Sequence, residues 1–294
     1  NYWWKSMTQL QENIVGIDAA IFMHPTTWKA SGHVDGFNDP MIDNKDSKKR
    51  YRVDHLIEAY AETLSKEAGE AILGQMDQLL AKEDYAGLKQ LIEDNKMKCS
   101  VSGTCNWTDV RQFNLMFSTE FGSVTGEETD NIVYLRPETA QGIFVNFLNV
   151  QKTGRMKIPF GIAQVGKAFR NEIVARQFIF RMREFEQMEM QFFIRPGTQK
   201  QWYEYWKEER MKWHLSLGIP DTQYRFHDHV KLAHYADAAC DIEYNFPIGF
   251  KEVEGIHSRT DFDLRNHQDY SKKKMQYFDA ENDETGKPYG NYIP

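Results

Sequence analysis

Cysteine is scarce in this sequence, with only Cys99, Cys105 and Cys240 among 294 residues. An odd number of thiols supplies no even disulfide framework, so we expect a reducing compartment and a cytoplasmic location. Cys99 and Cys105 have C-x5-C spacing, without a second pair of ligands or a histidine pattern nearby. Zinc sites use four ligands at characteristic spacings, so no zinc is expected, and a turn with two free thiols is the favoured interpretation.

Long apolar runs and an excess of positive charge are also missing. No run approaches the roughly 20 apolar residues that span a bilayer, and no signal-peptide pattern opens the chain, so we expect no membrane contact. The formal net charge of -7 excludes a protein that is basic over its whole surface. It does not exclude a local basic patch for nucleic acid. The hydrophobic content of 41% is typical of a globular protein.

The residues that are present predict helices interleaved with short strands. Apolar residues at helical spacing from Asp54 to Asn95 predict a helical insertion at about residues 55–98. A first helix is predicted over residues 1–20. The strand-like runs are separated by hairpins or irregularly placed helices, and regular βαβ repeats do not occur. This order favours an α+β fold, with an antiparallel or mixed β-sheet flanked by helices.

The most informative segment runs from Phe160 to Ile194 and predicts two strands joined by an arginine-bearing loop. Successive side chains of a strand point to opposite faces, so the polar residues of this segment are predicted to share one face. They are Gln164, Gly166, Ala168, Arg170 and Glu172 on the first strand and Phe185, Gln187, Glu189 and Gln191 on the second. This face is too polar for a core, and we interpret it as the floor of a site for a charged, planar ligand.

The predicted polar face has the groups that a nucleotide requires. Arg170 offers phosphate a permanently charged fork on a rigid strand, and Phe185 offers a ring on which a purine can stack. Arg176, Arg181 and Arg183 in the loop are suited to distal phosphates. The alternative for Arg170 alone is a structural cross-strand pair with a glutamate. The combination of groups favours the ligand site.

Five blocks of the sequence resemble a known family, and they occur along the chain in the order of that family. The residues GKAFRNEI and FIFRMREFEQMEMQFF, within 166–193, are similar to motif 2 of class II aminoacyl-tRNA synthetases, in the version of the homodimeric glycyl-tRNA synthetases. WKASGHVDGFNDP at 28–40 resembles the stretch around motif 1, which lies at the dimer interface of that family. RQFNLMF at 111–117 and YLRPETAQGIFVNF at 134–147 resemble the run ahead of motif 2. GFKEVEGIHSRTDFDL at 249–264 resembles the segment ahead of motif 3.

This resemblance implies a class II synthetase fold and the activity of a glycine–tRNA ligase. Such an enzyme activates glycine with ATP to glycyl-adenylate and transfers glycine to the 3' end of tRNA(Gly). The resemblance also implies Mg²⁺ as the cofactor that accompanies ATP, and a homodimer, because the motif 1 block is present.

The resemblance assigns the ATP site mainly to motif 2. Arg170 is implied to hold the α-phosphate and the substrate carboxylate, Phe185 to stack on adenine, and Arg170 and Glu172 to be the catalytic residues. The residues implied to bind ATP are Arg170, Asn171, Glu172, Phe180, Arg181, Met182, Arg183, Glu184, Phe185, Glu252 and Val253. Glu252 is also the candidate oxygen ligand of Mg²⁺.

The amino-acid pocket follows from the same resemblance. Its implied lining is Arg52, Glu138, Phe185, Glu186, Gln187, Met188 and Glu189. Glycine offers only an ammonium, a carboxylate and two hydrogens, so recognition has to rest on charge and on exclusion of larger side chains. Glu138 and Glu189 are suited to hold the ammonium by charge-assisted hydrogen bonds, and a filled pocket rejects an added methyl group.

Two parts of the family pattern do not occur before Pro294. They are the glycine-rich motif 3 with its arginine and a C-terminal anticodon-binding domain. We therefore expect residues 1–294 to be a partial class II catalytic domain that activates glycine poorly by itself. The alternatives are a non-catalytic, synthetase-like accessory or nucleic-acid-binding subunit, and an ATP-dependent ligase of another substrate. The accessory hypothesis predicts an eroded site, whereas the charged and stacking positions of the site are all present.

Four histidines and a short basic run are predicted to have structural roles. His214, His227, His229 and His234 lie outside any metal or triad pattern, so they are predicted to be surface or interface residues. The basic run 272–274 is predicted to be a solvated helix face, with contact to the tRNA backbone as the alternative.

Overall fold

The computed structural model describes residues 1–121, 132–173, 178–230, 232–233, 235–283 and 285–294. Arg176 and His234, which figure in the sequence analysis, lie outside these residues. The chain forms two compact units, one of Asn1–Val34 with Met116–Pro294 and one of Asp35–Leu115. In the described ranges, no helix is both long and apolar enough to cross a membrane.

Helices and mainly antiparallel strands alternate along the described chain, which confirms the predicted α+β class. The helices are α1 (Tyr2–Thr8), α2 (Pro25–Ala30), α3 (His33–Gly36), α4 (Val53–Ala61), α5 (Lys66–Ala81), α6 (Tyr85–Asp94), α7 (Ala140–Thr153), α8 (Gln199–Leu215) and α9 (Phe262–Ser271). The strands are β1 (Ile14–Gly16), β2 (Phe22–Met23), β3 (Asn38–Asp43), β4 (Arg50–Arg52), β5 (Arg111–Asn114), β6 (Ser118–Glu120), β7 (Ile132–Leu135), β8 (Phe160–Phe169), β9 (Glu184–Phe193), β10 (Tyr224–Asp228), β11 (Ala238–Phe246), β12 (Gly249–Ser258), β13 (Tyr277–Asn282) and β14 (Pro288–Tyr292).

The unit of residues 35–115 consists of three helices and a small antiparallel sheet. Strand β3 pairs with both β4 and β5, and α4, α5 and α6 confirm the helical character predicted for residues 54–95. Ser65 and Asp84 cap α5 and α6 by accepting backbone N–H groups, as side chains of these types do at helix starts. Ile57, Leu88 and Trp107 are among the fully buried residues of its core. The extent and role of the insertion stay predictions.

The predicted hairpin of residues 160–194 is confirmed in the other unit. Strands β8 and β9 pair in antiparallel register along their whole length, and β1 pairs with β8 in parallel. Phe147 of α7 packs on Phe160 and Phe193 with ring centroids 5.8 and 4.7 Å apart. Helix α7 therefore covers the base of one hairpin face, which we call the front face, and its N-terminal end lies farther along that face.

A second three-stranded sheet, β10–β11–β12, is antiparallel throughout. Its buried residues Cys240, Ile242 and Ile256 belong to one core with Trp206 of α8 and Ala163 of β8. Helix α8 thus packs against the back of this sheet, and the side chains of alternate residues point to the opposite, front side.

The helix predicted over residues 1–20 is wrong beyond Thr8. Trp3 and Met7 do form the buried stripe of α1, but the chain turns after this helix and continues as β1. The β-branched residues Ile14 and Val15 favour a strand, and the side-chain amide of Asn13 donates to the Pro159 carbonyl oxygen at 2.9 Å. The apolar spacing that predicted the long helix comes from the two turns of α1 alone. The pairing of β1 with β8 joins residues that are far apart in sequence, so local spacing does not reveal it.

Candidate active site

The register of β8 and β9 brings the predicted polar residues together on the front face. Gln164 lies opposite Glu189, Gly166 opposite Gln187, and Ala168 opposite Phe185. Directly opposed residues of an antiparallel pair point to the same face. The predicted alternation of side chains along this hairpin is therefore confirmed.

Glu138 lies just before α7 at one end of this polar face. One of its carboxylate oxygens, Oε2, lies 3.5 Å from His33 Nε2, and the other accepts the Gln141 side-chain amide at 3.0 Å. Burial alone raises the pKa of Glu138, but the charges of His33 and Arg259 and the Gln141 hydrogen bond hold it well below its usual range. The structure therefore favours the ionised carboxylate at this half-buried position.

Glu189 is a second carboxylate of the same face, and its environment has the opposite effect. Burial and the nearby charge of Glu138 raise the pKa of Glu189 to about 7, against the hydrogen bond from the Thr139 hydroxyl. The Thr139 backbone N–H also donates to Gln187 Oε1 at 3.1 Å. Glu138 and Glu189 thus form a coupled acidic pair at the N-terminal end of α7.

A buried polar network supports this acidic pair from α9. Asp263 accepts the Gln141 side-chain amide at 2.9 Å and the Arg259 guanidinium at 3.0 and 3.2 Å. His267 Nε2 contacts Gln141 Oε1 at 2.7 Å. The Arg259 guanidinium also lies 4.1 Å from the centroid of the Tyr235 ring. These contacts hold the Arg259 charge near Glu138, where it favours the ionised carboxylate.

Arg170 follows β8 at the other end of the polar face. Its Nε donates to the Pro137 carbonyl oxygen at 3.1 Å, and its guanidinium lies 5.2 Å from the centroid of the Phe185 ring. An arginine over an aromatic face is held by cation–π attraction. Arg170 and Phe185 thus lie side by side, beside the segment that carries Glu138.

The loop residues after β8 are already engaged with one another. Arg181 Nη1 lies 3.5 Å from Glu172 Oε1, and Arg183 donates to the carbonyl oxygens of Glu172 and Ile173 at 2.8 and 3.2 Å. Phe180 packs edge-on against Phe246 at 4.8 Å. Of the other residues predicted for ATP, Asn171 lies in the turn after β8 and Met182 is exposed.

Glu252 lies on the front side of β12, opposite Glu243 of β11. A Cβ at Gly255 would lie 3.5 Å from oxygens of both Glu252 and Asp241, which shows that these two carboxylates lie close together. Glu252 is open to solvent, yet partial desolvation and the Asp241 charge raise its pKa, while His229 and Arg170 lower it. Val253, beside it, is 40% exposed.

Three predicted side chains of β9 do not point to the front face. Glu184, Glu186 and Met188 alternate with Phe185 and Gln187 along β9, so their side chains lie on the opposite face. Glu184 there pairs with Lys167 at 3.2 Å. The register of β9 does not support side-chain roles in the site for these three residues, and their assignment stays a prediction.

Arg52 belongs to the unit of residues 35–115, and its place in the amino-acid pocket stays a prediction. Its guanidinium makes a bidentate hydrogen bond to the Asp54 carboxylate and lies 3.2 Å from Asp39. These carboxylates give Arg52 a structural role within its own unit.

Comparison with known proteins identifies the family. The family model "tRNA synthetase class II core domain (G, H, P, S and T)" matches residues 117–285, and "Glycyl-tRNA synthetase insertion domain 1" matches residues 39–72 and 65–115. The chain belongs to the class II aminoacyl-tRNA synthetases.

The similarity to individual class II synthetases extends over nearly the whole chain. The glycine–tRNA ligase of Chlorobaculum tepidum is 54% identical over 98% of this chain and 62% of its own length. That of Macrococcus caseolyticus is 53% identical over 98% of this chain and 60% of its own length. The chain thus spans about three-fifths of the length of these relatives.

Among solved structures, the chain is similar to the cytoplasmic serine–tRNA ligase of Naegleria fowleri. The TM-score is 0.41, with 23% sequence identity, over 52% of this chain and 33% of that chain.

Several residues that contact the predicted polar groups, or that hold them in place, were not predicted from the sequence, namely His33, Thr139, Gln141, Arg259 and Asp263. His33 and Asp263 lie within blocks that resemble the family, but no polar pattern around them marks a site. Their contacts join α3, α7 and α9, which are far apart in sequence. The available signal for Arg259 was an aspartate, Asp263, four residues later at the start of a predicted helix.

We expect Gly166→Ala to destabilise this class II core domain. A Cβ at Gly166 would overlap Nη2 of Arg136, and Arg136 is fixed by donating to the carbonyl oxygens of Lys167 and Ala19 at 2.6 and 2.8 Å. Overpacking of this kind costs about 1–3 kcal/mol of unfolding free energy. Urea unfolding measures the loss. Lys167→Ala, an exposed change on the opposite face, is the control and is expected to stay within about 0.5 kcal/mol of wild type.

Proposed function

We propose that this chain carries the glycine-activating site of a glycine–tRNA ligase. The observation that carries the proposal is one continuous polar surface, with the Glu138–Glu189 pair at one end and Arg170 with Phe185 at the other. Glycyl-adenylate has the matching order of groups, namely an ammonium, a reacting carboxyl–phosphate linkage and a purine.

The acidic pair fits the ammonium end of glycine. An ammonium donates three hydrogen bonds, and the two carboxylates offer acceptors in a buried setting where charge-assisted hydrogen bonds are strong. A bound ammonium also neutralises the repulsion between Glu138 and Glu189, which is visible in the raised pKa of Glu189. Glycine is favoured over larger amino acids because a filled, buried pocket does not enlarge around an added side chain.

Arg170 and Phe185 fit the nucleotide end. In the proposed reaction, a carboxylate oxygen of glycine attacks the α-phosphorus of ATP, a new O–P bond forms, and pyrophosphate leaves. Arg170 stabilises the negative charge that develops on the phosphoryl oxygens, and adenine stacks on Phe185. No general base is needed, because the attacking carboxylate is already ionised at neutral pH.

The loop residues Glu172 and Arg181 also belong to the proposed ATP site. Glu172 and Arg181 are paired with each other, so a phosphate that binds Arg181 has to compete with Glu172. We propose that ATP makes this exchange, which frees Glu172 to accept hydrogen bonds from the nucleotide. Asn171, Phe180, Met182 and Arg183 remain proposed lining residues of the ATP site.

Glu252 and Asp241 fit a magnesium ion that accompanies ATP. Mg²⁺ bound to nucleotide phosphates uses one or two protein carboxylates and keeps several waters. No group of three or more His, Cys, Asp or Glu among the described residues is arranged to hold a metal by itself, and two adjacent carboxylates meet the smaller requirement. When bound, the ion supplies positive charge to the phosphate oxygens, and Glu252 is its proposed ligand.

The family also suggests the second reaction step, the oligomeric state and the location of this protein. We propose that the protein with this site transfers glycine to tRNA(Gly), acts as a homodimer and works in the cytoplasm. Residues 1–294 are proposed to form part of the catalytic domain, with the helical insertion at about 55–98. The identity of the relatives, at 54% and 53%, supports these assignments.

A thermal-shift panel of aminoacyl-sulfamoyl-adenylates tests the proposed substrate. The glycyl analogue at 100 times its dissociation constant is expected to raise the melting temperature by roughly 5 °C, and the alanyl and seryl analogues much less. Equal stabilisation by a larger aminoacyl analogue would indicate a ligase for another substrate. No response to any analogue would favour the accessory-subunit alternative.

Glycine binding is expected to be linked to the release of a proton from Glu189. Its pKa is raised to about 7, so below pH 7 the group is mostly protonated and has to ionise to accept the ammonium. Glycine affinity should therefore rise with pH up to about pH 7 and fall about tenfold per unit below it, for one linked proton. Calorimetry in two buffers of different ionisation enthalpy measures the proton count. Glu189→Gln is the control and should remove this linkage, whereas an unchanged proton count in that variant would contradict the assignment.

A further inference from the structure

Two glutamates of β12, two residues apart, lie on opposite sides of the sheet. In a regular strand, residues i and i+2 share a face. Here the register shifts between Ile242 and Glu243, so that Glu252 lies opposite Glu243 and Glu254 opposite Ile242. Val253 is the extra residue of this β-bulge, and the shift sends Glu252 to the front and Glu254 to the back.

Behind the sheet, Glu254 is bound by two residues of α8. Arg210 donates Nε and Nη2 to its two oxygens at 2.6 and 3.2 Å, and His214 Nε2 lies 2.8 Å from Oε2. Burial raises the pKa of Glu254, but the His214 hydrogen bond and the Arg210 charge hold it below its usual range. Arg210 and His214 are only 5% and 6% exposed, so the predicted surface position of His214 is wrong.

The surroundings of this trio make it rigid. The Arg210 guanidinium lies 4.6 Å from the centroid of the Trp213 ring, and the His214 ring packs on Trp213 and Tyr224 at 5.0 and 5.3 Å. A bidentate arginine–carboxylate contact also fixes orientation as well as distance. The back of the bulge is therefore anchored, whereas Val253 at its apex is exposed and outside the strand register.

We propose that Arg210 and His214 are positioning residues for Glu252. By fixing Glu254, they hold the bulge in the one arrangement that presents the Glu252 carboxylate beside Asp241 and toward Arg170. This inference rests on the proposed function, since Glu252 requires a set orientation only if magnesium-bound ATP binds in front of the sheet. Bulges next to active sites commonly re-aim a side chain in this way, and contacts behind a metal ligand tune the affinity of the metal.

The test separates orientation of Glu252 from general stability by measuring how much Mg²⁺ strengthens ATP binding. The dissociation constant of ATP is determined by calorimetry, once with Mg²⁺ and once with EDTA, and the ratio is the magnesium factor. Arg210→Met and the milder Glu254→Gln are compared with wild type. The control is Arg195→Met, which breaks an ion pair of 2.8 Å with the buried Asp279 of β13.

We expect Arg210→Met to reduce the magnesium factor about tenfold, with a smaller reduction in Glu254→Gln, because such supporting contacts govern metal affinity on this scale. Arg195→Met should lower the melting temperature and leave the factor unchanged. If both α8-linked variants fold and keep the wild-type factor, the positioning role is wrong while the proposed function stands. If wild type binds no ATP under either condition, the proposed function fails and this inference with it.

Discussion

Replacing Arg170 by alanine is expected to weaken ATP binding about 100-fold, the largest nucleotide effect of any single change in this chain. The loss of one partner from a desolvated, hydrogen-bonded charge pair typically costs 2–5 kcal/mol, or about 30-fold and more. Arg170 is fixed by the Pro137 carbonyl oxygen and the Phe185 ring, so its charge is held in place before the ligand arrives. Calorimetric titration with ATP·Mg²⁺ measures the change.

The control for this prediction is Lys167→Met. Lys167 also carries a positive charge on β8, but its side chain lies on the opposite face, paired with Glu184. It should bind ATP within about twofold of wild type, since exposed pairs contribute little. Equal losses in the two variants would mean that ATP responds to the net charge of the hairpin, and the role of Arg170 would be withdrawn.

Glu138→Gln is expected to weaken glycine binding about 100-fold while changing ATP affinity less than threefold. The substitution keeps the shape of the side chain but removes the charge that an ammonium requires, and a desolvated charge pair of this kind is worth several kcal/mol. The Glu138 carboxylate contacts His33 and Gln141, whereas Phe185 contacts Arg170, so the ATP affinity should change little. Separate titrations with glycine and with ATP measure the two affinities.

Glu184→Gln provides the matched control for Glu138. It makes the same chemical change at an exposed carboxylate of β9, on the face of the hairpin opposite to the site. Glycine binding should be unchanged in this variant. A comparable loss of glycine and ATP affinity in Glu138→Gln would instead point to collapse of the site, and the ammonium assignment would be rejected.

Local sequence predicted the hairpin well because strand alternation is a local property. The alternation of polar and apolar residues from Phe160 to Ile194 is sufficient to assign Gln187 and Glu189 to one face, and the register confirms it. The same alternation assigns the side chains of Glu186 and Met188 to the opposite face. Their assignment came from the family resemblance of the whole block, which does not distinguish the two faces.

The residues that support the site could not be predicted in this way. His33 and Arg259 reach Glu138 from elements about 100 residues away on either side, and no periodicity encodes such contacts. His214 was predicted to be a surface or interface residue because it lies outside any metal or triad pattern, whereas its ion-pair partner Glu254 lies 40 residues later. Arg52 was assigned to the pocket from the family resemblance, whereas Asp39 and Asp54 provide its partners in the structure.

The bulge in β12 is a backbone feature that local sequence also did not predict. The sequence places Glu252 and Glu254 two residues apart, which predicts a shared face. The register shift between Ile242 and Glu243 reverses this, and it depends on the pairing with β11 and on the charges of α8. Contacts of this kind, distant in sequence, decide which carboxylate lies on the front side of the sheet.

The most direct test of the proposed site is a crystal structure of the chain with glycyl-sulfamoyl-adenylate. We expect the ammonium between Glu138 and Glu189, the sulfamoyl group within hydrogen-bonding distance of the Arg170 guanidinium, and the adenine ring stacked on Phe185. Ligand bound away from the front face of β8 and β9, or in the reversed orientation with adenine at the acidic pair, would contradict the account.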